Sequence, residues 1–258
     1  MREVLLLRLD APLMSFGAPT IDNLGRTARH PSRSMLTGLL ANALGWDHGD
    51  WLKLEALQAR LTWAARLDRE GQALTEYQTV DLGQPHLVTD GKLAVSWTTS
   101  GRVEERAGGP DARLGTHQRW RDHWADAVYT VAVGLDAAAT PSPTVTDLAN
   151  AIQRPARPLF IGRKPCLPAA PLYAGAVQAP TLIAALLTWP LDPTRIERGA
   201  RDGDVLYRQV WWPAGEGQPD GIDHFQLLSV TEERDWRNQI HVGERRIHHG
   251  RIVIGGPT

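Results

Sequence analysis

Two stretches of this 258-residue chain gather cations without acids. The first carries Arg26, Arg29 and Arg33; the second, RPARPLFIGRK, carries Arg154, Arg157, Arg163 and Lys164. Guanidinium groups offer forked donors to phosphate oxygens and flat faces to bases, so such loops suit binding of a single-stranded nucleic acid. Formal net charge is only -1, so attraction for a polyanion has to come from local clustering and not from the overall field. A third group, HQRWRDHW, places Arg119 and Arg121 on either side of Trp120. In an extended segment those two arginines share a face and make a basic track, while Trp120 and Trp124 are read as packing residues.

Other chemistry is thinly supported. Cys166 is the single cysteine, so it forms no internal disulfide and anchors no thiolate zinc site; it reads as a small core residue. His117 and His123 lie six apart with no third ligand in register, which argues against a metal site. His248 and His249, beside Arg245, Arg246 and Arg251, read as solvated surface, since neighbours on a strand point oppositely. Phe160 sits in an apolar triplet and reads as core. No phosphate-cradling glycine loop or nucleophile motif of a metabolic enzyme is present, and no cofactor is implied.

The elements that position these groups follow from patterning. With 42% hydrophobic and 22% charged residues the chain reads as globular, with one elaborated core or a core plus an appendage. It has no apolar run long enough for a membrane span and an N-terminus too charged for a signal peptide, which points to a cytoplasmic protein with no membrane partner. Val4 to Leu9 reads as a buried first strand, and 11–31 as a long exposed loop. SMLTGLLANALG has helical periodicity, with Ser32 or Ser34 as its cap and Gly45 at its end. The arginine loop therefore feeds a helix start whose open N–H groups and dipole would suit a phosphate. Asp50 is expected to cap a second helix, and TWAARLD with LTEYQTV to form a hairpin about Glu70 and Gly71. A polar insertion spans Asp81 to Gly115, VYTVAVGL is a central strand, Thr146 caps a short helix, and the remainder is mainly β after one short apolar helix from Thr181 to Leu187.

Taken in order, RHPSRSMLTGLLANALG, EYQTV, RWRDHWADAVYTVAV and RPLFIGRKPC resemble the CasD family, the fifth Cas family, found in type I-E CRISPR systems within the repeat-associated RNA-binding superfamily. Arg29, Pro31, Arg33, Ser34, Gly38, Leu39, Leu40 and Gly45 match its N-terminal pattern, and the likeness extends to about residue 185. The resemblance implies an α+β fold: a ferredoxin-like or RRM-like palm over 1–80 and 116–258 with a β-rich C-terminal part, and a thumb hairpin inserted at 81–115. It implies a non-catalytic subunit of a Cascade surveillance complex that holds the 5′ handle of the crRNA, caps the backbone filament of CasC, touches the large subunit CasA and meets target DNA only indirectly. The residues that would contact RNA are Arg26, Arg29, Arg33, Ser34, Arg119, Arg121, Arg157, Arg163 and Lys164, with Tyr77 and Trp97 as wedges at and within the thumb. The competing reading is a metal-independent endoribonuclease that processes CRISPR precursor RNA, for which Tyr77, His117, His123 and Lys164 supply the acid–base types but no recognisable spacing.

Overall fold

The computed structural model describes residues 1–19, 23–81, 96–97, 103–104, 116–138, 142–192 and 206–254. The chain divides into two compact units, one of Met1–Pro19, Arg26–Leu74 and His123–Thr258, the other of Thr20–Gly25 and Thr75–Asp122. In chain order the first strands are β1 (Arg2–Asp10), β2 (Leu13–Met14), β3 (Leu24–Gly25), β4 (Leu61–Arg69), β5 (Gln72–Asp81), β6 (Ser96–Trp97), β7 (Val103–Glu104) and β8 (Thr116–Ala125). They are followed by β9 (Val128–Leu135), β10 (Tyr173–Ala179), β11 (Leu206–Pro213), β12 (Ile222–Val230), β13 (Glu233–Asp235), β14 (Ile240–Val242) and β15 (Arg245–Ile254). The helices are α1 (Arg33–Ala43), α2 (Trp51–Arg60), α3 (Val145–Gln153) and α4 (Leu182–Thr188). The fold is thus α+β and mostly sheet.

The first unit is built on a seven-stranded sheet of order β10-β1-β9-β4-β11-β15-β12, antiparallel at every junction. The largely apolar runs of β1 and β9 have a simple cause: both strands are flanked on each side and covered on each face. Leu5, Leu7 and Leu9 of β1 pack with Leu36, Leu39 and Leu40 of α1 and Leu148 of α3. Val4 and Leu6 point the other way, against Leu182, Ile183 and Leu186 of α4. Helices therefore cover both faces and not the single face that the element order alone suggests.

Four expectations change. The turn at Glu70 and Gly71 exists, but β4 and β5 do not pair: β4 lies between β9 and β11, and β5 pairs with β8. Gly71 has φ +66°, and a Cβ there would stand 2.5 Å from the Ala125 carbonyl oxygen, so the chain leaves the sheet where only glycine fits. The cap of α3 is Thr144, whose hydroxyl accepts the Asp147 N–H in a capping box, and not Thr146. Asp50 precedes α2 but makes no cap bond to it; its side chain accepts the Asp47 N–H and so completes the capping box of the short 3₁₀ turn that Asp47 caps. Likewise 11–31 is not simply exposed, since Ala11, Met14, Ser15, Phe16 and His30 are buried.

On the α4 face a buried arginine fastens helix to sheet. Arg66 donates to Asp68 at 2.5 Å and to the Leu186 and Trp189 carbonyls at 2.6 and 2.7 Å, and only 1% of it is exposed. Thr130 also donates to Asp68. Removing the guanidinium strands a buried carboxylate and the last carbonyls of α4, so Arg66→Ala is expected to lower the unfolding free energy by about 3–5 kcal/mol. Urea denaturation measures it, and Arg66→Lys should recover little, because one ammonium cannot serve both the carboxylate and the helix end.

In the second unit β3 runs parallel to β8, Thr75 donates to Asp122 at 2.8 Å, and β6 pairs antiparallel with β7. The rest of the expected insertion at 81–115 lies outside the described residues.

Candidate nucleic-acid interface

The start of α1, where the sequence invites a phosphate, is already satisfied by the protein itself. Ser32 accepts the Met35 N–H at 3.1 Å. The Glu232 carboxylate accepts the Arg33 N–H at 3.0 Å, and the Glu232 carbonyl accepts the Ser34 N–H at the same distance. Glu232 also accepts from Trp63 Nε1 at 3.1 Å and from Arg245, and is only 2% exposed. A carboxylate from the C-terminal strands thus sits where the helix dipole wants an anion. Two of the side chains expected to contact RNA are engaged within the protein here. Ser34 is buried beside Ser32, and the Arg33 guanidinium pairs with Glu233 at 2.7 Å. Burial, followed by the nearby Arg245, pushes the Arg33 pKa down from its ordinary value.

Arg157 is exposed but engaged within the protein. Its guanidinium donates to the Trp46 and Gly45 carbonyls, both at 2.7 Å, and so ties down the turn that follows α1. Asn42 to the Pro158 carbonyl at 2.8 Å and Ala156 N–H to Ala43 at 2.9 Å fix the same stretch along the helix.

From there the chain makes a tight turn, with Ile161 N–H on the Cys166 carbonyl at 2.8 Å and Cys166 N–H on the Arg163 carbonyl at 2.9 Å. Gly162, at φ +92°, presses against the Ser15 carbonyl, and Ser15 N–H donates to Ile161 at 3.1 Å. The turn carries Arg163 and Lys164. Arg163 Nη2 lies 3.4 Å from the Arg26 carbonyl oxygen, so the two basic loops of the sequence meet. Lys164 is exposed and makes no ion pair among the described residues. Arg29 pairs with Glu70 and lies 4.6 Å over the Trp124 ring, while its carbonyl accepts the Tyr129 hydroxyl at 2.8 Å. Of the side chains expected to meet RNA from these two loops, Arg26 and Lys164 are exposed, Arg163 is half-buried beside the Arg26 carbonyl, Arg29 stands half-buried beside its carboxylate, Arg33 pairs with Glu233, Ser34 is buried, and Arg157 is exposed but bonded to backbone carbonyls.

Within the second unit Tyr77 is 53% exposed, with its ring 5.2 Å from that of Trp120. Arg119 and Arg121 flank Trp120 on β8, as the alternating pattern requires, and both are half-buried. The side chains of Trp97 and His117 lie outside the described residues.

Of the remaining side chains Cys166 meets its expectation as core, while Phe160, His248 and His249 do not. Cys166 is fully buried, and His123, 1% exposed, touches its sulfur at 3.7 Å and Arg163 at 3.5 Å. Phe160 is not core: Leu159 and Ile161 turn inward while Phe160 lines an open cleft of about 380 Å³ with Leu39, Trp46, Lys164 and Trp236. His248 and His249 are half-buried and not solvated surface. They face Trp212 and Trp211, their cross-strand partners, with ring centroids 5.0 and 4.9 Å apart. Burial, then the neighbouring His30 and Arg29, lowers the His249 pKa, so the ring is held neutral. His30 is likewise driven to the neutral form by burial, stacked on Trp63 at 5.4 Å. Sequence reading missed Glu70, Glu232 and Glu233, which decide which arginines are available. The clue was the acid pair in TEER, close to the basic YRQVWW and RRIHH strands.

Among the described residues no group of three or more His, Cys, Asp or Glu could hold a metal ion, and no helix is long and apolar enough to cross a membrane. A family model described as CRISPR-associated protein (Cas_Cas5) matches residues 4–248. Over 192 residues the chain is 32% identical to the CRISPR system Cascade subunit CasD of Escherichia coli (strain K12), covering 73% of this chain and 78% of that protein. A chain of a CRISPR RNA-guided surveillance complex superposes with a TM-score of 0.64 at 22% identity, over 98% of this chain and 91% of that one. A crystal structure of a Cas protein does so with a TM-score of 0.56, also at 22% identity, over 98% and 95%. The match from the first strand to the last, with the relative above 30% identity, shows that the chain belongs to the CRISPR-associated Cas5 protein family.

Proposed function

We propose that this protein is a non-catalytic subunit of a type I-E Cascade complex in the cytoplasm, and that it holds the 5′ handle of the crRNA and caps the CasC filament beside CasA. The observation that carries the reading is the meeting of the two basic loops, with Arg163 on the Arg26 carbonyl and Lys164 exposed at the same turn. Loops bracketed by α1 and by the Ser15 strand end are pre-ordered, which lowers the entropy cost when a flexible strand binds. The palm reading is supported by connectivity. The path β1, α1, β4, β9, α3, β10 with spatial order β10-β1-β9-β4 matches the ferredoxin-like arrangement, to which β11, β15 and β12 are added at one edge.

Binding is favoured over cleavage by His123. A general base must reach the ribose 2′-hydroxyl, whereas this ring is buried against Cys166 and Arg163.

The test is filter binding of handle RNA, scrambled RNA and DNA at several salt concentrations. The triple variant Arg26→Ala, Arg163→Ala, Lys164→Ala should lower affinity for handle RNA about tenfold or more. It should also flatten the slope of log K against log salt by about 0.7 for each phosphate that is no longer neutralised. An unchanged slope removes these loops from the site, and metal-independent cutting of a labelled precursor by the purified protein replaces binding with processing.

A further inference from the structure

Beyond β4 the sheet continues into three strands whose face is neither core nor ordinary surface. Register places Tyr207 opposite Val253, Gln209 opposite Arg251, Trp211 opposite His249, and His249 opposite Gln226. Trp211 is the buried floor, and His249 stacks parallel to it, held by Gln226 at 3.2 Å and Gln209 at 3.3 Å. Tyr207 is 46% exposed and Arg251 lies 4.3 Å over its ring. Arg251 is itself exposed and has no carboxylate partner among the described residues. On this face Arg245 is held by Glu232, which leaves Arg251 as the exposed cation, and Asp223, in the β12 bulge, makes no ion pair among the described residues.

This combination is chemically directed. An exposed ring roofed by a guanidinium takes a base by stacking and the adjoining phosphate by charge. Side-chain amides anchored on a neutral imidazole present both donors and acceptors to base edges. From Tyr207 to Trp211 the strand covers about 13 Å, room for a short run of nucleotides. Beneath its surface the face packs against residues that hold the first basic loop. Trp211 is 6.5 Å from Tyr129, whose hydroxyl holds the Arg29 carbonyl, and 5.8 Å from His30.

We propose that β11, β15 and β12 form a second contact face for the same single-stranded RNA, with Tyr207 stacking a base, Arg251 meeting its phosphate, and Gln209 and Gln226 reading polar edges. The inference rests on the loops being an RNA site. It adds a face that a loop-only interface lacks.

Equilibrium binding of fluorescent 5′-handle RNA to the full chain tests it with three variants. Tyr207→Ala with Arg251→Ala should weaken binding about tenfold, while Tyr207→Phe stays within about twofold of wild type because the ring survives. Both side chains are exposed, so melting temperatures should not move. Wild-type affinity in the double variant overturns the second face, as does a Tyr207→Phe loss as large as that of alanine. If the double variant binds RNA normally but no longer associates with a neighbouring Cascade subunit, the face meets protein and the inference falls. The loop triple variant separates the two readings: its weakening with an unchanged double variant keeps the loop site and sinks the face, whereas an unchanged triple variant sinks the reading beneath it.

Discussion

Alanine at Gly162 is expected to lower stability by about 3 kcal/mol or more and to remove handle RNA binding, although the substitution adds a single methyl group. Two costs combine. At φ +92° an L side chain is strained, and the added Cβ would lie 1.6 Å from the Ser15 carbonyl oxygen, far inside van der Waals distance. The turn that carries Arg163 and Lys164 must then move away from Ser15. The Ser15 N–H to Ile161 bond and the approach of Arg163 to Arg26 break with it. Thermal denaturation with filter binding at matched folded fraction checks both effects. A variant that retains wild-type affinity per folded molecule shows that the turn need not be held against the first loop.

Glu232→Ala should cost about 3–5 kcal/mol. The residue joins four donors from separate positions: the first N–H of α1, the indole of β4, the guanidinium of β15 and, through its backbone carbonyl, the Ser34 N–H. Deleting the carboxylate leaves Arg245 and Arg33 partly buried without their shared acid, and both arginines already have a buried nitrogen without a partner, Arg33 Nε and Arg245 Nη2. Glu232→Gln should recover little, because its amide NH₂ turns a donor toward donors. Urea midpoints measure the loss. A Gln variant as stable as wild type shows that shape, and not charge, holds the joint.

Local patterns were the legible part of this molecule. SMLTGLLANALG became α1, capped by Ser32, and VYTVAVGL became a fully flanked strand, because periodicity and continuous apolarity report burial directly. The basic loops were visible as composition, and the structure brings them together at the Arg26 carbonyl. What the sequence hid is long-range pairing. Nothing near Arg33 in the chain announces Glu233, 200 residues away, and nothing near the helix start announces Glu232. An acid-free window therefore hid the engagement of its cations: Arg33 pairs with Glu233, and Arg157 is bonded to backbone carbonyls. The supposed hairpin failed for a related reason. Both of its strands were read correctly, but strand partners depend on which edges remain open after the whole sheet forms, and β9 and β11 claimed β4. His248 and His249 looked like surface because their tryptophan partners, Trp212 and Trp211, lie on another strand and are matched to them only by register.

The joint at Glu232 also sets the order in which the molecule is made. Its bond to Arg33 spans 199 positions, so during synthesis the first helix emerges long before the carboxylate that completes its leading turn. Loop closure over that distance must precede its reward, which makes this a high-contact-order interaction and a late one. A nascent chain released before the last strands leave the ribosome would carry an open helix end and an uncovered edge of β4, the state in which self-association and proteolysis compete with maturation.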